Sequence, residues 1–191
     1  MKKTMILIFA LMAGNALAQN AASPEAFAQP MPGLSDTERE QFFRGRTLVR
    51  QSWVVAPSKD DQVDGLGPLY NRLACISCHP HNGRGRPPEA ATERMLSMLV
   101  RLSVPGHDDH GGPKPHPAYG GQLNEEGIPG VPGEGRATLR WHEVVTVRLA
   151  GGEKVSLRKP QIKFAELAYG PIDGVLTSPR VGEQMVGMGY L

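Results

Sequence analysis

The two cysteines of this 191-residue chain, Cys75 and Cys78, are separated by Ile76 and Ser77, and His79 follows the second at once. On a helical turn, residues three apart share a face, so two thiols at this spacing can form thioethers with two vinyl groups on one side of a porphyrin. The residue after them then falls beneath the ring, where an imidazole nitrogen can coordinate iron. C-x-x-C-H is thus the attachment pattern of c-type haem, and the expected cofactor is one covalently held haem c on Cys75, Cys78 and His79. Three other readings compete: a structural disulfide, a thioredoxin-type redox pair and a zinc site. The first two give His79 no role. The redox pair expects a βαβ setting, whereas Gly and Pro flank this motif on both sides. Zinc would have to recruit two further ligands from scattered histidines.

A haem at this position gives other residues candidate roles. Methionine as sixth ligand makes a high-potential carrier, histidine lowers the potential, and an open position admits peroxide. Met185 and Met188 rank first because glycines flank their segment; Met95, Met98, His81, His107, His110, His116 and His142 are alternatives. Arg84 and Arg86 are placed to pair with propionates or to lie solvated in a loop. His107, Asp108, Asp109 and His110, with His116 nearby, resemble a metal cluster but read better as a polar loop, since no helix fixes their spacing. Trp53 and Trp141 read as packing residues, and Tyr190 as a remote oxygen ligand.

The elements that must position this motif follow from periodicity and breakers. Lys2 and Lys3, the apolar run from Met5 to Ala13 and the small residues Ala16-Leu17-Ala18 predict a signal peptide over 1–18, too short in its apolar part to span a bilayer. A flexible leader is expected over 19–33 and the haem domain over 34–191. Ser35 and Glu38 have capping-box spacing, and Phe42, Val49 and Trp53 share a face, so a helix is expected from Asp36 to Trp53. A second helix is expected from Pro68 to His79, then a loop through Pro88. Glu89 to Val104 reads as a helix passing into a strand, since Met98, Val100, Leu102 and Val104 alternate. Residues 105–135 form a long Gly/Pro loop, stabilised by something it wraps. Thr138 to Leu149, interrupted at Val144, and Lys154 to Leu157 predict a hairpin around Gly151-Gly152, with a helical turn at Phe164 to Tyr169. The apolar run from Met185 to Leu191 has no cap or polar tail, which is expected of a chain that continues. The fold class expected is mixed α+β: a mainly α, cytochrome-c-like haem region with a small β hairpin and long Gly/Pro loops. Without Lys2 and Lys3 the charges balance at nineteen of each sign, which argues against a nucleic-acid or anionic-membrane partner.

The order of segments resembles the di-haem c-type cytochrome oxidoreductases, peroxidase-like proteins also called thiol oxidoreductases. The stretches that carry it are FFRGRTLVRQSW (42–53), DGLGPLYNRLACISCHPHNGRGRPP (64–88), YGGQL (119–123), LRKP (157–160), YGP (169–171) and SPRVGEQMVGMGYL (178–191). The resemblance implies a periplasmic electron-transfer protein with two haems, one exchanging electrons and the other reducing peroxide. This chain holds one C-x-x-C-H, so the implied partner is a periplasmic redox protein or a second haem domain. The alternative is a stand-alone mono-haem carrier without catalysis.

Overall fold

Ser35 and Glu38 do form a capping box: Glu38 N donates to Ser35 Oγ and Ser35 N donates to the Glu38 carboxylate. Two otherwise orphaned amides are satisfied, a gain of about 1 kcal/mol. This starts α1, Asp36–Arg50, in a computed structural model that describes residues 23–60 and 65–187. The expected signal peptide lies outside the described residues. The helix ends three residues short of Trp53, whose amide instead donates to Leu73 O. Ahead of α1, Ala28 is buried and Glu25 grips both Arg50 and His81.

The expected mainly α, cytochrome-c-like fold is overturned. Among the described residues α1 is the one sustained helix, and the strands form four two-stranded sheets. These are β1 (Val54–Val55) with β2 (Gly65–Leu66), β3 (Leu69–Tyr70) with β5 (Glu126–Gly127), β4 (Met98–Ser103) with β8 (Leu176–Val181), and β6 (Arg136–Arg148) with β7 (Lys154–Ala165). The expected helix over Pro68–His79 shrinks to one turn, α2, Cys75–Cys78. Its first residues are taken by β3, whose amide and carbonyl groups pair with β5 instead of with a helical neighbour. The helical half expected from Glu89 is a series of turns, and only the alternating half becomes β4. Phe164 belongs to β7 and not to a helical turn.

The core forms where alternation is cleanest. Met98, Val100 and Leu102 point inward from β4 and meet Tyr119, Leu123, Ala137 and Leu139, with Trp141, Ile162 and Phe164 at the margin. Burying a side chain such as Leu139 contributes about 1.5–3 kcal/mol. The long loop 105–135 is held by this core and by its own bonds. Tyr119 is 1% exposed, its hydroxyl donates to Gly170 O and accepts from Tyr169 N, and His116 Nδ1 accepts from Ala118 N and Tyr119 N.

Candidate cofactor-attachment site

Ala74, extended, hands the chain into α2, where His79 N donates to Cys75 O and closes the single turn. Pro80 cannot continue it, because its ring lacks the amide hydrogen and crowds the preceding turn. His81 and Asn82 then take left-handed conformations, φ 55° and 58°, and reverse the chain. His81 is held there by Glu25 at 2.6 Å. That bond, helped by Arg50, holds the Glu25 carboxyl below its usual range. Both cysteines are free thiols, Cys75 exposed and Cys78 half-buried. Burial raises the Cys78 thiol above its usual pKa, against an opposing pull from Arg72.

Behind the turn runs a strap from the far end of the chain. His79 Nδ1 lies 2.5 Å from Glu183 O. A carbonyl can only accept, so Nδ1 is the donor and Nε2 is the ring nitrogen left to meet a metal. The approach is close: a Cβ on Gly182 would stand 2.5 Å from Cys78 O and 3.3 Å from His79 Cε1. Gly85 N donates to Gly182 O, Gly182 N to Ser97 O, and Met185 N to Asn82 O, so the strap is pinned on both sides of the imidazole.

In front of the turn is an open cleft of about 290 Å³, lined by Tyr70, Asn71, Arg72, Leu73, Ser77, Arg94, Leu96 and Glu126. Leu73 and Leu96 are 42% and 54% exposed, and the carbonyl of Leu96 lies 3.8 Å from Cys78 Sγ. Arg72 crosses the cleft floor: Nε donates to Leu96 O, Nη2 to Met95 O, and Nη1 to Asn71 O, with buried Glu125 at 3.4 Å. Arg94 and Arg136 converge on Glu126, and Glu125 also accepts from Ala137 N.

A family model described as "Di-haem oxidoreductase, putative peroxidase" matches residues 13–190. The chain belongs to the di-haem oxidoreductase family. No curated protein and no solved structure matches it. Membership implies haem as cofactor, and the residues present fit one: two free thiols on one turn, an imidazole with a free Nε2, and exposed leucines at the cleft. Asn82 Oδ1, buried beside the motif, finds no hydrogen-bond partner among the described residues.

In this member of the di-haem oxidoreductases the other candidates scatter. Met95 and Met98 are core residues, His116 serves its loop, and His142 meets Gln161 on the hairpin. Asp108 caps its own turn by accepting from His110 N and Gly112 N, and no cluster of three metal-ligating side chains occurs among the described residues. Arg86 is engaged by Glu89 and Glu93, and Arg84 lies 3.9 Å from Glu183. Met185 is half-buried on the strap, while Met188 and Tyr190 lie outside the described residues. Sequence reasoning missed Arg72 and Arg94. Arg72, three positions before Cys75 in the same short segment, was the signal available.

Proposed function

We propose that this chain carries one haem c, bound through thioethers to Cys75 and Cys78 and ligated by His79, and that it passes electrons between a redox partner and a second haem. The observation that carries this reading is the bond from His79 Nδ1 to the carbonyl of Glu183, beside two free thiols on one turn. The group supplies a one-electron iron couple. The protein supplies the Nδ1 hydrogen bond that orients the ligand, the apolar rim of Leu73 and Leu96, and the cations Arg72 and Arg94.

The partner of Nδ1 also bears on the role of this centre. A carboxylate there would make the imidazole a strong electron donor to iron, whereas a carbonyl does so less. That favours electron transfer at His79, with peroxide reduction, the chemistry in the family's description, at the second haem. Met188 stands as the candidate second ligand, while Met185 is pinned through its amide on the strap at the Nδ1 side of the ring, away from Nε2. The leader with Lys2 and Lys3 supports export to the periplasm, where such attachment chemistry is expected. No helix among the described residues is long and apolar enough to cross a membrane.

The test is the mass and spectrum of protein matured in an exporting, haem-attaching host. A mass increased by one haem, mapped to the peptide holding Cys75 and Cys78, is expected. Colourless protein of unmodified mass would overturn the assignment. A low-spin centre that exchanges electrons but leaves peroxide untouched without a second haem protein is expected of a carrier. Peroxide turnover by this chain alone would overturn the division of roles.

A further inference from the structure

The β6–β7 hairpin changes which face is apolar part-way along its length. From Arg136 to Glu143 the pairing puts Ala137, Leu139 and Trp141 with Phe164, Ile162 and Pro160 on the core side. One extra residue, Val144, then shifts the register, so that Val145 pairs with Leu157 and Val147 with Val155. Side chains alternate faces with period two, so a one-residue bulge sends the apolar set to the opposite face. Nothing among the described residues covers it there: Val145 is 51%, Leu157 50% and Leu149, at the tip, 47% exposed. The same outer face carries Arg140, His142, Lys159 and Lys163, all pointing away from the core. Between Arg136 and Ala165 the sequence has seven Lys and Arg against Glu143 and Glu153.

We infer that the outer face of the β6–β7 hairpin is a docking surface for an acidic partner protein, with Val145, Leu149 and Leu157 as its apolar centre and Arg140, Lys159 and Lys163 as its cationic flank. An aliphatic centre beside a charged flank is the composition of a protein interface. The flank steers and selects an anionic counterpart, and the aliphatic tip excludes water once they meet. A membrane-seeking tip would place Trp or Tyr at the interface. Here Trp141 lies on the opposite face under the Arg158 guanidinium, 5.0 Å from its ring centroid, and the exposed tip residues are aliphatic. The inference stands apart from the haem reading, since none of Arg140, Val145, Leu149, Leu157, Lys159 and Lys163 lines the cleft.

The test uses the full chain with its cofactor, carrying a photoreactive benzophenone side chain in place of Leu149 and irradiated in the producing cells. The expected product is an adduct whose partner peptide, sequenced by mass spectrometry, comes from another protein and is rich in Asp and Glu. Its yield should fall about tenfold when Arg140→Glu, Lys159→Glu and Lys163→Glu are combined, because each reversal replaces an attraction by a repulsion. All three residues are exposed, so the thermal midpoint should hold. Should the Glu combination unfold, the same positions changed to Gln carry the test. An adduct to a second copy, to phospholipid or to a peptide without acidic residues would overturn the inference, as would no adduct or a yield indifferent to these substitutions.

Discussion

The imidazole of His79 donates through Nδ1 to the main-chain carbonyl of Glu183, which lies 104 residues later in the chain. One bond therefore joins the last residue of the C-x-x-C-H motif to the segment after β8, and it sets which ring nitrogen is free. Replacing His79 by Ala should leave the thioether anchors intact, so the mass gain remains while spin state and potential change. An unaltered spectrum would show that His79 is no ligand.

Gly182 is the close-approach point of the same strap. In Gly182→Ala the new Cβ would meet Cys78 O at 2.5 Å, so backbone must shift. A loss of about 1–3 kcal/mol is expected in chemical denaturation, together with a changed haem potential. Gly45→Ala, in the middle of α1 with open space around it, should be neutral or stabilising by about 0.5–1 kcal/mol. Equal effects at the two sites would contradict the close packing of the strap.

Leu139 and Leu149 belong to the same strand and its turn yet differ in surroundings, 1% against 47% exposed. Leu139→Ala should cost about 2–5 kcal/mol, and Leu149→Ala should stay within about 0.5 kcal/mol. Urea melts of the two variants decide whether the core lies at the base of the hairpin.

Glu134 is buried, and that burial raises its carboxyl pKa even though Asn124 N donates to it. A folded-state pKa above the unfolded one favours folding at low pH, and the advantage is lost as pH rises through the folded value. Glu134→Gln should therefore melt higher than the parent at neutral pH. The difference should close as the pH falls below the ordinary carboxylate value of 4.5, where both side chains are neutral. A gap that widened on acidification would refute the sign.

What the sequence disclosed was local. The capping box at Ser35 and Glu38, the alternation of Met98, Val100 and Leu102, and the irregularity at Val144 that becomes a bulge are written in neighbouring residues. Over Pro68–His79 the turn residues Gly65 and Gly67 mark where a helix could begin, while the pairing of Leu69 and Tyr70 with Glu126 and Gly127 is a long-range choice invisible in that window. The same holds for Arg72, which reads as a surface cation until its neighbours Met95, Leu96 and Glu125 arrive from elsewhere. The motif was legible, and the strap behind it was not.

The order in which the chain grows gives that strap a further meaning. Cys75, Cys78 and His79 leave the ribosome long before Gly182 and Glu183 exist, so the thiols stand open while the imidazole is still unbacked. A contact between residues so far apart forms only when the C-terminal segment has folded back, so the orientation of the imidazole belongs to the finished fold and not to the motif alone.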